Sequence, residues 1–112
     1  MSRIEGVRYR QGDIVLVRFP FTDLSSTKSR PALVLSKSNI DDDVIAAAIT
    51  SRGHERHFRF TEGDLQRGRL PGTSYVRCDK VATLHRSLVV KNVSALRPEK
   101  IEHVIRIFKD QF

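Results

Sequence analysis

The chain has 112 residues, with 20 Lys plus Arg against 13 Asp plus Glu, a formal net charge of +7 and 39% hydrophobic residues. That length and apolar share predict one domain over residues 1–112 around a single core, and interspersed charges of both signs exclude a disordered tail. The one cysteine, Cys78, excludes an internal disulfide and a cysteine-based zinc site, and fits a reducing compartment.

No membrane association is expected. The longest purely apolar run, Val44 to Ile49, is far short of a membrane span. The opening Met-Ser-Arg-Ile-Glu-Gly lacks the apolar stretch of a signal peptide. The expectation is a soluble cytoplasmic protein. Its positive excess makes a polyanion the default partner, with a basic surface that only confers solubility as the alternative.

The predicted elements run as follows. Asp13 to Phe19 is β-branched and bounded by Gly12 and Pro20, so it reads as a strand. Residues 20–30 are rich in Ser, Thr, Asp and Lys and read as a polar loop. Pro31 to Lys37 is a second strand with apolar residues at both parities, which predicts cover on both faces. Asn39 to Asp43 is a turn, and Val44 to Ser51 a third strand whose Ala46, Ala47 and Ala48 allow close approach of a neighbour. A helix competes there, because alanine prefers helix, but the flanking Val and Ile and the short length favour strand.

Arg56 to Thr61 reads as a fourth strand and Glu62 to Arg69 as a loop or one helical turn, ended by Pro71-Gly72. Ser74 to Leu84 is a fifth strand. Its apolar parity slips between Cys78 and Val81, which predicts a β-bulge at Asp79-Lys80. Leu88 to Val93 is a short sixth strand. The end is a helix opened by Pro98 and Glu99, with Leu96 and Ile101 placed as a hydrophobic staple. Ile101, Val104, Ile105, Phe108 and Phe112 form its core stripe, while Arg97 is a poor N-cap. Several short antiparallel strands followed by one helix make a mainly β protein, a small barrel of about six strands with an appended C-terminal helix.

Two places invite chemistry. Arg30 precedes Pro31, which biases it to an extended backbone at a loop–strand junction, and a guanidinium held in a fixed direction suits bidentate phosphate binding. Thr50 and Ser51 end an apolar strand, where a hydroxyl can bond a phosphate oxygen or cap the turn before Gly53. Arg52, Arg56, Arg59, Arg67, Arg69 and Arg77 make a basic middle third, suited to an RNA backbone or to plain solvation. His54 and His57 flank Glu55-Arg56 and are candidates for an acid–base pair, but three residues apart on a strand they point to opposite faces. His85 and His103 read as exposed, Cys78 as a buried thiol, and Phe58 and Phe60 as core.

Gly12-Asp13-Ile14-Val15-Leu16-Val17, then Arg30-Pro31-Ala32-Leu33-Val34-Leu35-Ser36, then Thr50-Ser51, resemble the MazF/PemK ribonuclease toxins of bacterial toxin–antitoxin systems. Ser74 to Leu84 and the Val93-Ser94-Ala95-Leu96 entry to the last helix resemble them too, so the resemblance runs from about residue 10 to the C-terminus. It implies a compact barrel related to SH3 domains and gyrase-poison toxins, usually dimeric, that cuts single-stranded RNA at short sequences without a metal. It maps the family's arginine onto Arg30 and its Thr or Ser onto Thr50. The family loop often carries Ser-Glu-Gln where this chain has Ser25-Ser26-Thr27, and an acidic residue followed by Gln where this chain has Asp79-Lys80.

The reading is therefore a sequence-selective, metal-independent endoribonuclease toxin without a cofactor. Arg30 and Thr50 are its catalytic residues, and Ser25, Ser26, Thr27, Lys28, Ser51, Arg52, Arg56, Asp79 and Lys80 its RNA contacts. The 2′-hydroxyl attacks the adjacent phosphorus, Arg30 stabilises the growing charge and Thr50 holds a non-bridging oxygen. The general base stays open, since arginine is a poor one at pH 7. Expected partners are single-stranded RNA, an acidic cognate antitoxin and a second copy of the chain. The competing readings are a non-catalytic binding protein on the same fold, such as a gyrase poison or an inactive regulator, and a basic nucleic-acid-binding barrel without chemistry.

Overall fold

The computed structural model describes residues 9–18, 29–37 and 42–111. They form one seven-stranded antiparallel sheet and a C-terminal helix. The strands are β1 (Asp13–Val17), β2 (Arg30–Val34), β3 (Asp43–Thr50), β4 (Phe58–Phe60), β5 (Leu65–Gly68), β6 (Ser74–His85) and β7 (Val89–Leu96). The helix is α1 (Pro98–Lys109). Their order across the sheet is β4-β6-β3-β2-β1-β7-β5, and the sheet curls into a half-barrel.

Alternation along the strands divides the interior in two. Ile14, Leu33, Ala47, Ile49, Phe58, Phe60, Val76 and Cys78 face one side, where Val104 and Phe108 of α1 cover them. Val15, Val17, Ala32, Val34, Val44, Ala46 and Leu84 face the other, all buried, and among the described residues no helix lies over them. The curl of the sheet, with Tyr9, Leu88 and Val89 packed against them, covers that second face. The double apolar parity of β2 is explained here, since Leu33 belongs to the first core and Ala32 and Val34 to the second. Both faces are filled from within the chain and do not by themselves call for a second copy. Ala46, Ala47 and Ala48 stand opposite Val34, Leu33 and Ala32, the close approach that their size predicts.

The sequence reading needs several corrections. The described residues form seven strands, because Leu65–Gly68, expected to be loop or one helical turn, pairs with β7 after a 3-10 turn at Glu62–Asp64. A Leu-Gln-Arg-Gly segment has little intrinsic strand preference; buried Leu65 and the β7 ladder impose it. β4 is confined to Phe58–Phe60, and residues 54–57 form a turn closed by His57 N donating to His54 O at 3.0 Å. On α1, Ile107 packs against the core and Ile105 does not; Ile105 lines a groove with Pro98 and Lys109. The staple is present, with Leu96 in the core and Ile101 against it. Phe112, and the expected loop and turn at residues 20–28 and 39–41, lie outside the described residues.

The parity slip in β6 is real. Between Ala47↔Val81 and Ile49↔Val76, the ladder moves two residues along β3 and five along β6, so the irregularity falls on Arg77 to Lys80.

Gly12 and Asp13 form a structural corner. Gly12 has φ +98, and a Cβ there would collide with the Ile101 side chain. Asp13 is 6% exposed. Its carboxylate accepts from Arg10 N at 2.9 Å, Asn92 Nδ2 at 3.0 Å and Arg67 Nη2 at 3.2 Å. One buried carboxylate thus ties β1 to β5 and β7.

Candidate active site

Arg30 opens β2 opposite Val17 of β1, and its side chain is exposed. Pro31 follows it in a strand whose ladder tolerates the missing N–H. The β2–β3 register pairs Ala32 with Ala48. Continued by two residues, it brings Arg30 opposite Thr50. Thr50 in turn pairs with Tyr75 of β6, and Tyr75 with Arg59 of β4. Directly paired residues share a face, so Arg30, Thr50, Tyr75 and Arg59 form a row across four strands. The row lies on the face of the second core, at its rim, beyond Ala32 and Ala48.

Local chemistry prepares Thr50. Its Oγ1 accepts from Arg52 N at 3.1 Å, which fixes the rotamer and the turn that follows. The capping role weighed for this hydroxyl is therefore met, and its O–H remains able to donate to an incoming oxygen. Arg30 makes no hydrogen bond or ion pair with any described residue, and its side chain is exposed.

A cleft of about 330 Å³ lies at the 54–57 turn, lined by His54, Arg56, His57, Arg77, Cys78, Asp79 and Gln111. Arg77 Nε and Nη2 donate to Asp79 Oδ1 and Oδ2 at 3.0 and 2.7 Å, a bidentate pair formed across the β6 irregularity. The guanidinium holds the Asp79 carboxyl below the usual carboxylate range. His57 Nε2 stands 3.9 Å from Asp79 Oδ1, and its Nδ1 is buried without a hydrogen-bond partner among the described residues. Burial pushes the His57 imidazole below its ordinary pKa of 6.5, outweighing the opposite pull of Asp79. The His54 and His57 rings are 4.9 Å apart. The expectation that they point apart fails because they sit in a turn, where the alternation of a strand does not apply. Cys78 is the buried thiol expected of it, pushed up in pKa by burial.

The other candidates divide. Ser51, Arg52 and Arg56 are exposed on the turn after β3, and Arg56 N donates to His54 Nδ1 at 3.1 Å. Lys80 lies half-buried in the β6 irregularity beside Asp79. Ser25, Ser26, Thr27 and Lys28 lie outside the described residues. Of the basic middle third, Arg67, Arg69 and Arg77 are committed to Asp13, Glu62 and Asp79. Phe58 and Phe60 are core, while His103, although exposed, packs edge-on against Phe58 at 5.1 Å. Sequence reasoning missed Tyr75 as a member of the row. The core parity of Val76 and Cys78 places Tyr75 on the other face, but only the β3–β6 register sets it beside Thr50. Among the described residues, no group of three or more His, Cys, Asp or Glu is arranged to hold a metal ion, and no helix is long and apolar enough to cross a membrane.

Comparison with known proteins agrees with the fold. The family model of PemK-like, MazF-like toxins of type II toxin–antitoxin systems matches residues 10–112. No curated protein matches the sequence. Among solved structures, MazF (Form-I) from Deinococcus radiodurans superposes with a TM-score of 0.69 at 20% identity, over 94% of this chain and 96% of that one. An endoribonuclease in complex with its cognate antitoxin, from a mycobacterial species, gives 0.69 at 16% identity, over 91% and 90%. The Mycobacterium tuberculosis toxin MazF-mt6 gives 0.67 at 19% identity, over 88% and 93%.

Proposed function

Because this chain belongs to the PemK-like, MazF-like toxins of type II toxin–antitoxin systems, we propose that it is an endoribonuclease that cuts single-stranded RNA at the Arg30–Thr50 rim. The observation that carries the reading is the register that sets an exposed arginine, unpaired among the described residues, opposite a hydroxyl that already accepts one backbone hydrogen bond. Such a pair grips a phosphate from two sides. Arg30 neutralises charge on the non-bridging oxygens as the 2′-oxygen attacks phosphorus, and the Thr50 O–H donates to one of them.

The attack forms the 2′-O–P bond and breaks the P–O5′ bond, leaving a 2′,3′-cyclic phosphate and a 5′-hydroxyl. The 2′-hydroxyl proton needs an acceptor and the departing 5′-oxygen a donor; the cleft at the 54–57 turn offers the Asp79 carboxylate and the neutral His57 imidazole, and a group that takes the first proton can return it to the 5′-oxygen. The Arg77–Asp79 pair holds its own charge balance, so the free positive charge of the site comes from Arg30, Arg52 and Arg56.

The +7 chain suits an acidic partner, and one of the superposed structures is held by its cognate antitoxin. We place a cognate antitoxin over this rim, and a homodimer as the working form on the pattern of the family. The test is incubation with a long single-stranded RNA in EDTA, followed by mapping of the ends. Cuts at a recurring short sequence, with cyclic phosphate ends and loss of cutting in Arg30→Ala, support the reading. Salt-sensitive binding without a cut would move the chain to the non-catalytic class.

A further inference from the structure

We propose that Tyr75 is a base-stacking platform, receiving the nucleobase beside the phosphate held by Arg30 and Thr50 and so helping to select the sequence that is cut. The proposal rests on the ribonuclease reading above and adds to that site a surface that meets a base.

Three observations converge on Tyr75. It is directly opposite Thr50 on the same face, so the two Cβ atoms are about 5 Å apart, within the span of a single nucleotide. It is half-buried and belongs to neither core, whereas Phe58, Phe60 and Phe108 are buried in the first and Tyr9 packs into the second. Its phenol end has a prepared resting place. A Cβ added at Gly53 would meet Tyr75 Oη at 3.0 Å and Cζ at 3.1 Å. The Gly53 backbone needs no left-handed φ, so what this glycine supplies is room for the ring.

Together these hold a flat aromatic surface along the turn that follows Thr50. A tyrosine has few rotatable bonds, and one already fixed by its neighbours loses little freedom when a base settles on it. Arg59 is its exposed cross-strand partner on the far side, a second cation beside the ring. Single-stranded RNA is recognised in this way, with unstacked bases laid on aromatic rings and the backbone followed by cations.

The experiment exploits composition. The sequence has no tryptophan and two tyrosines, Tyr9 and Tyr75. Tyr9→Phe therefore leaves Tyr75 as the sole tyrosine emitter. The probe is an oligonucleotide copied from the site that the wild-type protein cuts, with a 2′-deoxyribose at the cut so that it binds without reacting. Tyr75 emission is quenched on binding, and an abasic nucleotide next to the cut removes the quench. In cleavage, Tyr75→Phe keeps the wild-type KM and cut pattern. Tyr75→Leu raises KM about 10- to 100-fold with kcat largely retained, and relaxes the sequence preference. Melting curves accompany each variant.

Wild-type KM and cut pattern in folded Tyr75→Leu overturn the proposal. So does unchanged emission in the saturated complex, or a Tyr75→Phe protein as impaired as Tyr75→Leu, which would assign the effect to the hydroxyl. A wild-type protein that cuts no RNA removes the underlying reading together with this one. A cutting wild type indifferent to Tyr75 removes the stacking alone.

Discussion

Asp13 and Arg30 both belong to the short motifs that carry the family resemblance, yet the structure gives them opposite treatment. Asp13 is buried, and three donors from three segments converge on it. Arg30 is exposed, and no described residue engages its charge. A buried charge must be satisfied from within, or folding fails. A charge exposed on the rim, with no partner among the described residues, carries no such demand from the fold. Motif residues are thus separated into scaffold and site by whether their polar groups are already spent.

The comparison can be broken by substitution. The largest effect is expected at Arg30. Arg30→Ala loses about 10²–10³ in RNA cleavage rate with an unchanged melting curve, and Arg30→Lys recovers little because the planar fork is gone. A folded Arg30→Ala protein cutting at the wild-type rate would move the site elsewhere.

Asp13→Ala should do the reverse. It strips the shared acceptor from Arg67 and Asn92 and costs about 2–3 kcal/mol of stability, read by chemical denaturation. Cleavage per folded molecule stays near wild type below the transition. Loss of activity with full stability would erase the distinction between the two regions.

A smaller effect is expected at Thr50. Thr50→Ser is mild, whereas Thr50→Val, which keeps the shape and loses the hydroxyl, costs about tenfold in rate. Equal rates for Val and Ser would show that shape, and not donation, matters there.

The smallest effect concerns pH. The His57 pKa in the fold lies below the 6.5 of the unfolded chain, chiefly through burial, with His54 and Arg77 adding and Asp79 opposing. Its contribution to stability is therefore complete above pH 6.5 and is lost as pH falls from there through the folded pKa. Melting temperature should drop on acidification from pH 7.5 to 5.5, and His57→Gln should flatten that slope. An identical slope in the variant would place the titration on another group.

Much of the architecture was legible because it rests on local pattern. The β-branched runs at Asp13 and Val44, the parity slip in Ser74–His85 and the Pro98-Glu99 helix start are visible in the sequence and hold in the structure. β5 was not, since Leu-Gln-Arg-Gly becomes a strand only when β7 supplies the ladder. The site divided in the same way. Arg30 and Thr50 could be named from their chain context and the resemblance, but Tyr75 and Arg59 join them only through registers between distant segments. The histidine pair was misjudged because alternation was applied to residues that lie in a turn. Ile105 was assigned to the core because a helical stripe shows which residues share a side, not where that side stops being covered.

The central position of β1 also orders events during synthesis. β1 pairs with β2, which follows it closely, and with β7, whose Asn92 is 79 residues from Asp13. At about 5–20 residues per second, the ribosome delivers β2 within seconds of β1, while β7 comes only after all the other strands. Until then β1 presents an open, β-branched edge, and Asp13 waits for two of its three donors. A nascent chain at this stage already contains Arg30, Thr50 and Tyr75, and the strands that carry them lie on the other side of β1 from β7. A message truncated before β7 would leave β1 as a sticky strand edge and Asp13 without Asn92.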